Sequence, residues 1–135
     1  MKILVSSCLL GIPCRWHGKK VPFSSFVKKF QKNNPSTRLI PVCPETLGGL
    51  PTPRPPVKRR KGEVFETCPD KKMRKHITGK NVTKHFILGA KKTLKIVQKE
   101  KVKMAILCKW SPSCDLNGIT GKLLSANNIQ VINTW

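Results

Sequence analysis

The chain has no tyrosine, and only 6 of its 135 residues are acidic. Aromatic residues of all kinds make up 6%, which leaves little for the base-stacking platforms of single-strand nucleic-acid binders. The shortage of acid, set against 27 Lys+Arg, gives a formal net charge of +21. Such a field attracts polyanions and small anionic substrates, with nucleic acid the first suspect. Lysines spread over most segments are equally what a solvated surface presents. Other absences narrow the chemistry. Without a Walker loop or a Gly-x-Gly-x-x-Gly run, neither a P-loop nor a dinucleotide fingerprint is present. The lack of any Cys-x-x-Cys pair argues against a zinc ribbon and against a thioredoxin-like dithiol. His17, His76 and His85 show no zinc-ligand spacing with the cysteines. No apolar run approaches a membrane span. The opening Met1 to Gly11 is too short for a signal peptide and already holds a cysteine and a turn glycine. The expectation is therefore a cytoplasmic protein in a reducing compartment. There, six cysteines read as metal ligands, catalytic groups or buried apolar residues rather than as disulfides.

What is present alternates strand with helix. Buried-strand patterns occupy residues 2–7, 38–42, 102–107 and 129–132, and helical patterns occupy 24–32, 82–101 and 119–126. Phe23, Phe26, Val27 and Phe30 mark the apolar face of the first helix. Phe86, Ile87, Ala90, Leu94 and Val97 mark that of the second, with Asn81 its expected N-cap. Residues 43–56 are so rich in proline and glycine that no helix is expected there. Residues 57–79 are basic and weakly apolar, and predict an irregular or hairpin-like surface excursion with poor order. The alternation predicts a single small α/β domain over residues 1–135, with a mostly parallel sheet and flanking helices in a Rossmann-like three-layer arrangement.

Three cysteines fall just past predicted strands: Cys8, Cys43 and, one short loop later, Cys114. Loops at the carboxyl ends of parallel strands share one sheet edge, where ligand sites form. Three thiols delivered there suit a metal ion or an iron–sulfur cluster and are one short of a closed four-thiolate site. Glu45, two residues beyond Cys43, is a general acid/base candidate at the same mouth. Ser111 and Ser113 place two hydroxyls beside Cys114. Taken singly, each piece also reads as a buried cysteine, a surface carboxylate or a plain turn. Cys14, Cys68 and Cys108 read as small buried or incidental residues, Cys14 and Cys108 being the two within reach of the site.

The runs Ser-Ser-Cys-Leu-Leu-Gly, Cys-Arg-Trp-His-Gly, Pro-Val-Cys-Pro-Glu-Thr-Leu-Gly-Gly-Leu-Pro-Thr-Pro-Arg-Pro-Pro and Lys-Trp-Ser-Pro-Ser-Cys occur in that order over nearly the whole chain. Together they resemble the thiouracil desulfidase family, long catalogued as a domain of unknown function. The resemblance implies a small cytoplasmic α/β enzyme with a [4Fe–4S] cluster held by Cys8, Cys43 and Cys114. It implies that one iron is left free to take sulfur from a thiolated uracil or thiouridine nucleotide, with release of hydrogen sulfide. It makes Glu45 the group that activates water and Ser111 its assistant, by proton relay or by positioning substrate. Iron–sulfur assembly machinery is the implied partner, and Arg15 and Arg54 are candidates for a nucleotide phosphate. The chain departs from the family at His17, where an aspartate is usual, and at Asp115, where a glycine is usual; the segment after Asp115 is also shortened. Three other readings stand beside this one: a basic module that binds thiolated tRNA, a sulfur-transfer protein using Cys8 or Cys114 as nucleophile, and a zinc hydrolase.

Overall fold

A computed structural model describes residues 1–70, 72 and 77–135. Four parallel strands form the main sheet: β1 (Lys2–Ser6), β2 (Arg38–Val42), β6 (Met104–Cys108) and β7 (Gln130–Thr134), in the order β2-β1-β6-β7. The central pair, β1 and β6, is the most apolar. Ile3, Leu4, Val5, Ala105, Ile106 and Leu107 are all fully buried, as expected of parallel strands covered on both faces. Helix α1 (Ser25–Asn33) carries the chain from β1 to its neighbour β2, and helix α3 (Thr83–Glu100) then leads across to β6 on the other side of β1. Helix α4 (Ile119–Ala126) links β6 to β7 and packs on α3. Right-handed crossovers running in opposite directions put α1 on one face and α3 with α4 on the other. The direction of winding reverses at β1, so a crevice opens at the carboxyl ends of β1 and β6.

The α/β class, the parallel sheet and the flanking helices are as the sequence predicts, with local exceptions that have physical causes. Residues 43–56 do contain a helix, the single turn α2 (Pro44–Leu47). Proline at its first position loses only an N–H that no helix would use, and its fixed φ suits the turn. Of the two readings of the basic stretch the hairpin-like one holds for its described residues: β3 (Val57–Arg60), β4 (Glu63–Thr67) and β5 (Ile77–Asn81) form an antiparallel sheet in that order. Lys61 and Gly62, with φ of 49° and 80°, make the two-residue turn that hairpins favour. His76, within the predicted excursion, lies outside the described residues. Val82, not Asn81, is the N-cap of α3, although the Asn81 Oδ1 accepts the Thr83 N–H at 3.0 Å. Phe26 and Ile87 project into solvent, while Val27 and Phe86 carry the buried contacts of their helices. Among the described residues no helix is long and apolar enough to cross a membrane.

Helices α2 and α3 meet through two glycines. A Cβ on Gly89 would stand 1.8 Å from the Pro44 carbonyl oxygen, and one on Gly48 would stand 1.9 Å from that of His85. Any side chain at either position would drive the helices apart. This contact seats α2, and with it Cys43 and Glu45, against the body of the fold.

Candidate active site

A cavity of about 250 Å³ opens at the carboxyl ends of β1, β2 and β6, and five of the six cysteines line it. Cys8 sits on a 3₁₀ turn (Ser7–Leu10) that continues β1 and is closed by Gly11 at φ 80°. Cys43 is the N-cap of α2. Cys108 ends β6, its N–H held by the Ser6 Oγ at 2.9 Å. Cys114 lies one turn further on. Cys14 arrives from the first loop. The structure thus brings Cys8, Cys43 and Cys114 together as predicted and adds Cys14 and Cys108; Cys68 is not among the cavity's lining residues.

Four of these thiols, Cys43, Cys14, Cys8 and Cys108, interact with one another in series, and the Cys43 Sγ also lies 3.8 Å from the Cys14 carbonyl. Cys8 is held well above the usual thiol range by its bonds to Cys108 and Cys14, with burial adding to the effect. Cys43 is held high by its bond to Cys14 and by burial. The acceptors are held low: Cys14 at about 3, through bonds from Cys43 and Cys8, and Cys108 through its bond from Cys8. Burial pushes Cys114 up to about 11. Among the described residues, no three His, Cys, Asp or Glu side chains converge on one point as a single ion would require. The zinc-hydrolase reading needs such a tetrahedral shell. A polynuclear cluster takes its thiolates from separate corners and suits thiols spread around a cavity wall.

Glu45 projects from the first turn of α2 into the same cavity. Its Oε1 accepts from Arg54 Nε at 3.2 Å and its Oε2 from Ser113 Oγ at 3.0 Å. Arg54 is only 8% exposed. Three of its other four N–H donors go to the Pro51 carbonyl (3.2 Å), the Thr52 hydroxyl (3.0 Å) and the Cys14 carbonyl (3.0 Å). A buried guanidinium with its donors committed in this way fixes Glu45 and pins the Cys14 loop. Arg15 instead lies over the Trp135 ring, 5.6 Å from its centroid.

The turn carrying Ser111, Ser113 and Cys114 is built by its neighbours. At the start of α4 the N–H of Ile119 bonds to the Pro112 carbonyl at 3.1 Å, and that of Thr120 to the Ser113 carbonyl at 2.9 Å. The helix's free donors therefore shape this turn rather than an anion site. The Asn133 amide, on β7, donates to the carbonyls of Leu107 (3.3 Å) and Cys114 (3.2 Å) and accepts the Leu116 N–H at 2.7 Å. The Asp115 carboxylate accepts the Trp110 N–H at 2.6 Å and the Asn117 N–H at 3.0 Å, closing the loop on itself. Trp110, 75% exposed and at φ 62°, stands at the cavity mouth. It packs edge-on against Trp135 at 5.0 Å, with the Lys109 ammonium over both rings. His17 is not among the lining residues; its Nδ1 accepts the Lys19 N–H at 2.9 Å.

Ser113 and Arg54 reach Glu45 across 68 and 9 residues of sequence. No local pattern announces the first contact. The second was legible only as an arginine in a proline-rich loop. Trp110 carried no sequence signal beyond its place in the third motif.

The comparisons agree with this geometry. The 2-thiouracil desulfurase family model matches residues 3–134. An uncharacterized protein of Bacillus subtilis (strain 168), YbbK, is 33% identical over 127 residues, covering 94% of this chain and 82% of that protein. A solved structure of the [4Fe-4S]-dependent thiouracil desulfidase TudS superposes with a TM-score of 0.79 at 32% identity, covering 98% of this chain and 89% of that one. Motifs, sheet order, thiol-lined crevice and both relatives converge, and the chain belongs to the 2-thiouracil desulfurase family.

Proposed function

We propose that this protein removes sulfur from a thiolated uracil or thiouridine nucleotide, replacing it with the oxygen of water and releasing hydrogen sulfide. The observation that carries the reading is the Glu45 carboxylate, fixed from both sides by Arg54 and Ser113 inside a cavity walled by thiols. The donor set fits an iron–sulfur cluster: soft thiols on separate elements, with a carboxylate at hand that is not part of the thiol chain. Cys8, Cys43 and Cys114 would hold it, one from each of the three motifs, leaving one corner without a protein thiolate. When bound, such a cluster supplies a thiophilic Lewis acid that polarises the carbon–sulfur bond.

The chain's own residues supply the rest. Glu45 takes a proton from the water that attacks the thiocarbonyl carbon. Arg54 keeps the carboxylate aimed into the cavity. Ser111 lines the wall and assists Glu45 by proton relay. The thiocarbonyl becomes a carbonyl, the sulfur leaves as sulfide, and the two protons of water accompany it; no electron is gained or lost. Trp110, at the mouth, offers an aromatic face to the pyrimidine. The cluster would come from iron–sulfur assembly machinery in the cytoplasm, and the basic surface would draw in an anionic nucleotide or, weakly, RNA.

The test is anaerobic reconstitution of the full chain and of five single Cys→Ala variants. About four irons per chain should bind, with broad absorbance near ~400 nm, as for thiolate-bound clusters. Changing Cys8, Cys43 or Cys114 should abolish both iron and sulfide release. Changing Cys14 or Cys108 should leave iron bound. A fully active Cys43→Ala protein would sink the proposal.

A further inference from the structure

We propose that Ser113 is a positioning residue that joins Ser111 and Glu45 into one unit. It rests on the desulfidase reading for its kinetic test but on the hydrogen-bond geometry for its substance. A serine hydroxyl has one hydrogen to give and two lone pairs to receive with. The Ser111 Oγ accepts two backbone N–H groups, from Cys114 at 3.1 Å and from Ser113 at 3.3 Å. Its acceptor capacity is thereby filled, and its one hydrogen points to the Ser113 Oγ, 3.1 Å away. The Ser113 hydroxyl has two acceptors within reach: the Glu45 Oε2 at 3.0 Å and the Cys114 Sγ at 3.7 Å. A carboxylate oxygen at that distance is much the stronger. The chain of donors therefore has one direction, from Ser111 through Ser113 to Glu45.

Ser113 is 1% exposed and makes these contacts with no freedom to turn away. It is the residue through which the third motif reaches the second. Without it, the Ser111 hydrogen is released to point into the cavity, and Glu45 keeps only its Arg54 side. The hydroxyl and the carboxylate then face the substrate independently. A paired group gains from a shared, prearranged orientation, and hydrogen-bonded networks of this kind show effects that do not add.

The experiment compares Ser113→Ala, Ser111→Ala, the double variant and Ser113→Thr in the reconstituted full chain, with iron counted in each. Steady-state sulfide release from 2-thiouracil is the readout. Ser113→Ala should keep its iron and a KM within about twofold of the parent, while kcat falls on the order of 30-fold, less than the roughly 100-fold or more that loss of a whole acid–base group costs. Ser111→Ala should cost little more once Ser113 is alanine. Ser113→Thr, which keeps the hydroxyl, should recover most of kcat. An iron-loaded Ser113→Ala protein with kcat within twofold of the parent overturns the inference. So do losses that simply multiply in the double variant.

A second readout needs neither cluster nor turnover. In the cluster-free protein, the melting shifts of Ser111→Ala and Glu45→Gln should fail to add while Ser113 is present and should add in the Ser113→Ala background. Additive shifts in both backgrounds overturn the inference. If the reconstituted parent releases no sulfide from 2-thiouracil or thiouridine monophosphate, the desulfidase reading falls, and this melting cycle still decides the role of Ser113.

Discussion

Replacing Gly89 by alanine sets two effects of opposite sign against each other. Gly89 lies inside the eighteen-residue helix α3, where alanine favours the helix by about 1 kcal/mol over glycine. Against that, the new methyl would sit 1.8 Å from the Pro44 carbonyl oxygen and 2.8 Å from its carbon. These are backbone atoms of α2 and cannot swing aside as the end of a flexible side chain does. To restore ordinary contact, α2 must retreat by roughly 1.5 Å, and overpacking of this kind costs about 1–3 kcal/mol. With the full overlap falling on backbone, the upper end of that range applies. The net expectation is a loss of about 2 kcal/mol, a melting temperature lower by about 6 °C for a domain of this size. The same movement carries Cys43 and Glu45 with it, and a misplacement of about 1 Å at a reacting group costs on the order of 100-fold in rate. Thermal denaturation of the cluster-free protein, followed by iron content and sulfide release after reconstitution, reads both effects. Lys91→Ala, on the exposed side of the same helix, should move the melting temperature hardly at all. A Gly89→Ala protein that melts at or above the parent would refute the claim that close approach of the two backbones governs this contact.

Two further predictions concern the site itself. Arg54→Lys keeps the charge but has one ammonium where the guanidinium serves four acceptors. It should destabilise the protein by about 2–3 kcal/mol, for two or three lost buried hydrogen bonds at about 1 kcal/mol each, and should lower kcat; denaturant unfolding checks the first and turnover the second, and a neutral result would mean that Glu45 is held by other means. Trp110→Ala should raise KM for 2-thiouracil severalfold with kcat little changed, and should reduce the quenching of tryptophan fluorescence by bound uracil, because the side chain stands at the mouth and not among the reacting groups.

The parallel sheet was legible because its strands are short apolar runs and its helices show a 3.6-residue period. Val27 and Phe86 could be assigned to the interior on that basis alone. The antiparallel sheet was legible only as a hairpin-like alternative, because among the described residues its buried face holds little more than Val64 and Thr67 beside the lysine and arginines of β3 and the glutamates of β4. In such a strand, hydrogen bonding and a tight turn carry the fold, and composition points the other way. Helix α2 was hidden by the prolines around it, although a proline at the first helical position is no obstacle. Of the site, strand-end placement picked out Cys8, Cys43 and Cys114, and the same logic left Cys14 aside because it follows no strand. What brings Cys14 to the cavity is a backbone carbonyl held by a guanidinium forty residues away. The link from Ser113 to Glu45 is longer still. Contacts of that kind are set by tertiary geometry and leave no trace in local spacing.

The Asn133 side chain bears on how the protein is made. Synthesis proceeds from the amino end at some 5–20 residues per second, and segments order as they emerge. Cys8, Cys14 and Cys43 leave the ribosome long before Asn133 exists, yet the turn that presents Cys114 is stitched in place by that asparagine's amide. Until β7 adds itself to the edge of the sheet, the thiols belong to an unfinished pocket, open to oxidants and to stray metal. Docking of β7 is therefore the gate for loading: a released chain truncated before β7 should carry every cysteine of the cavity and yet hold no organised site.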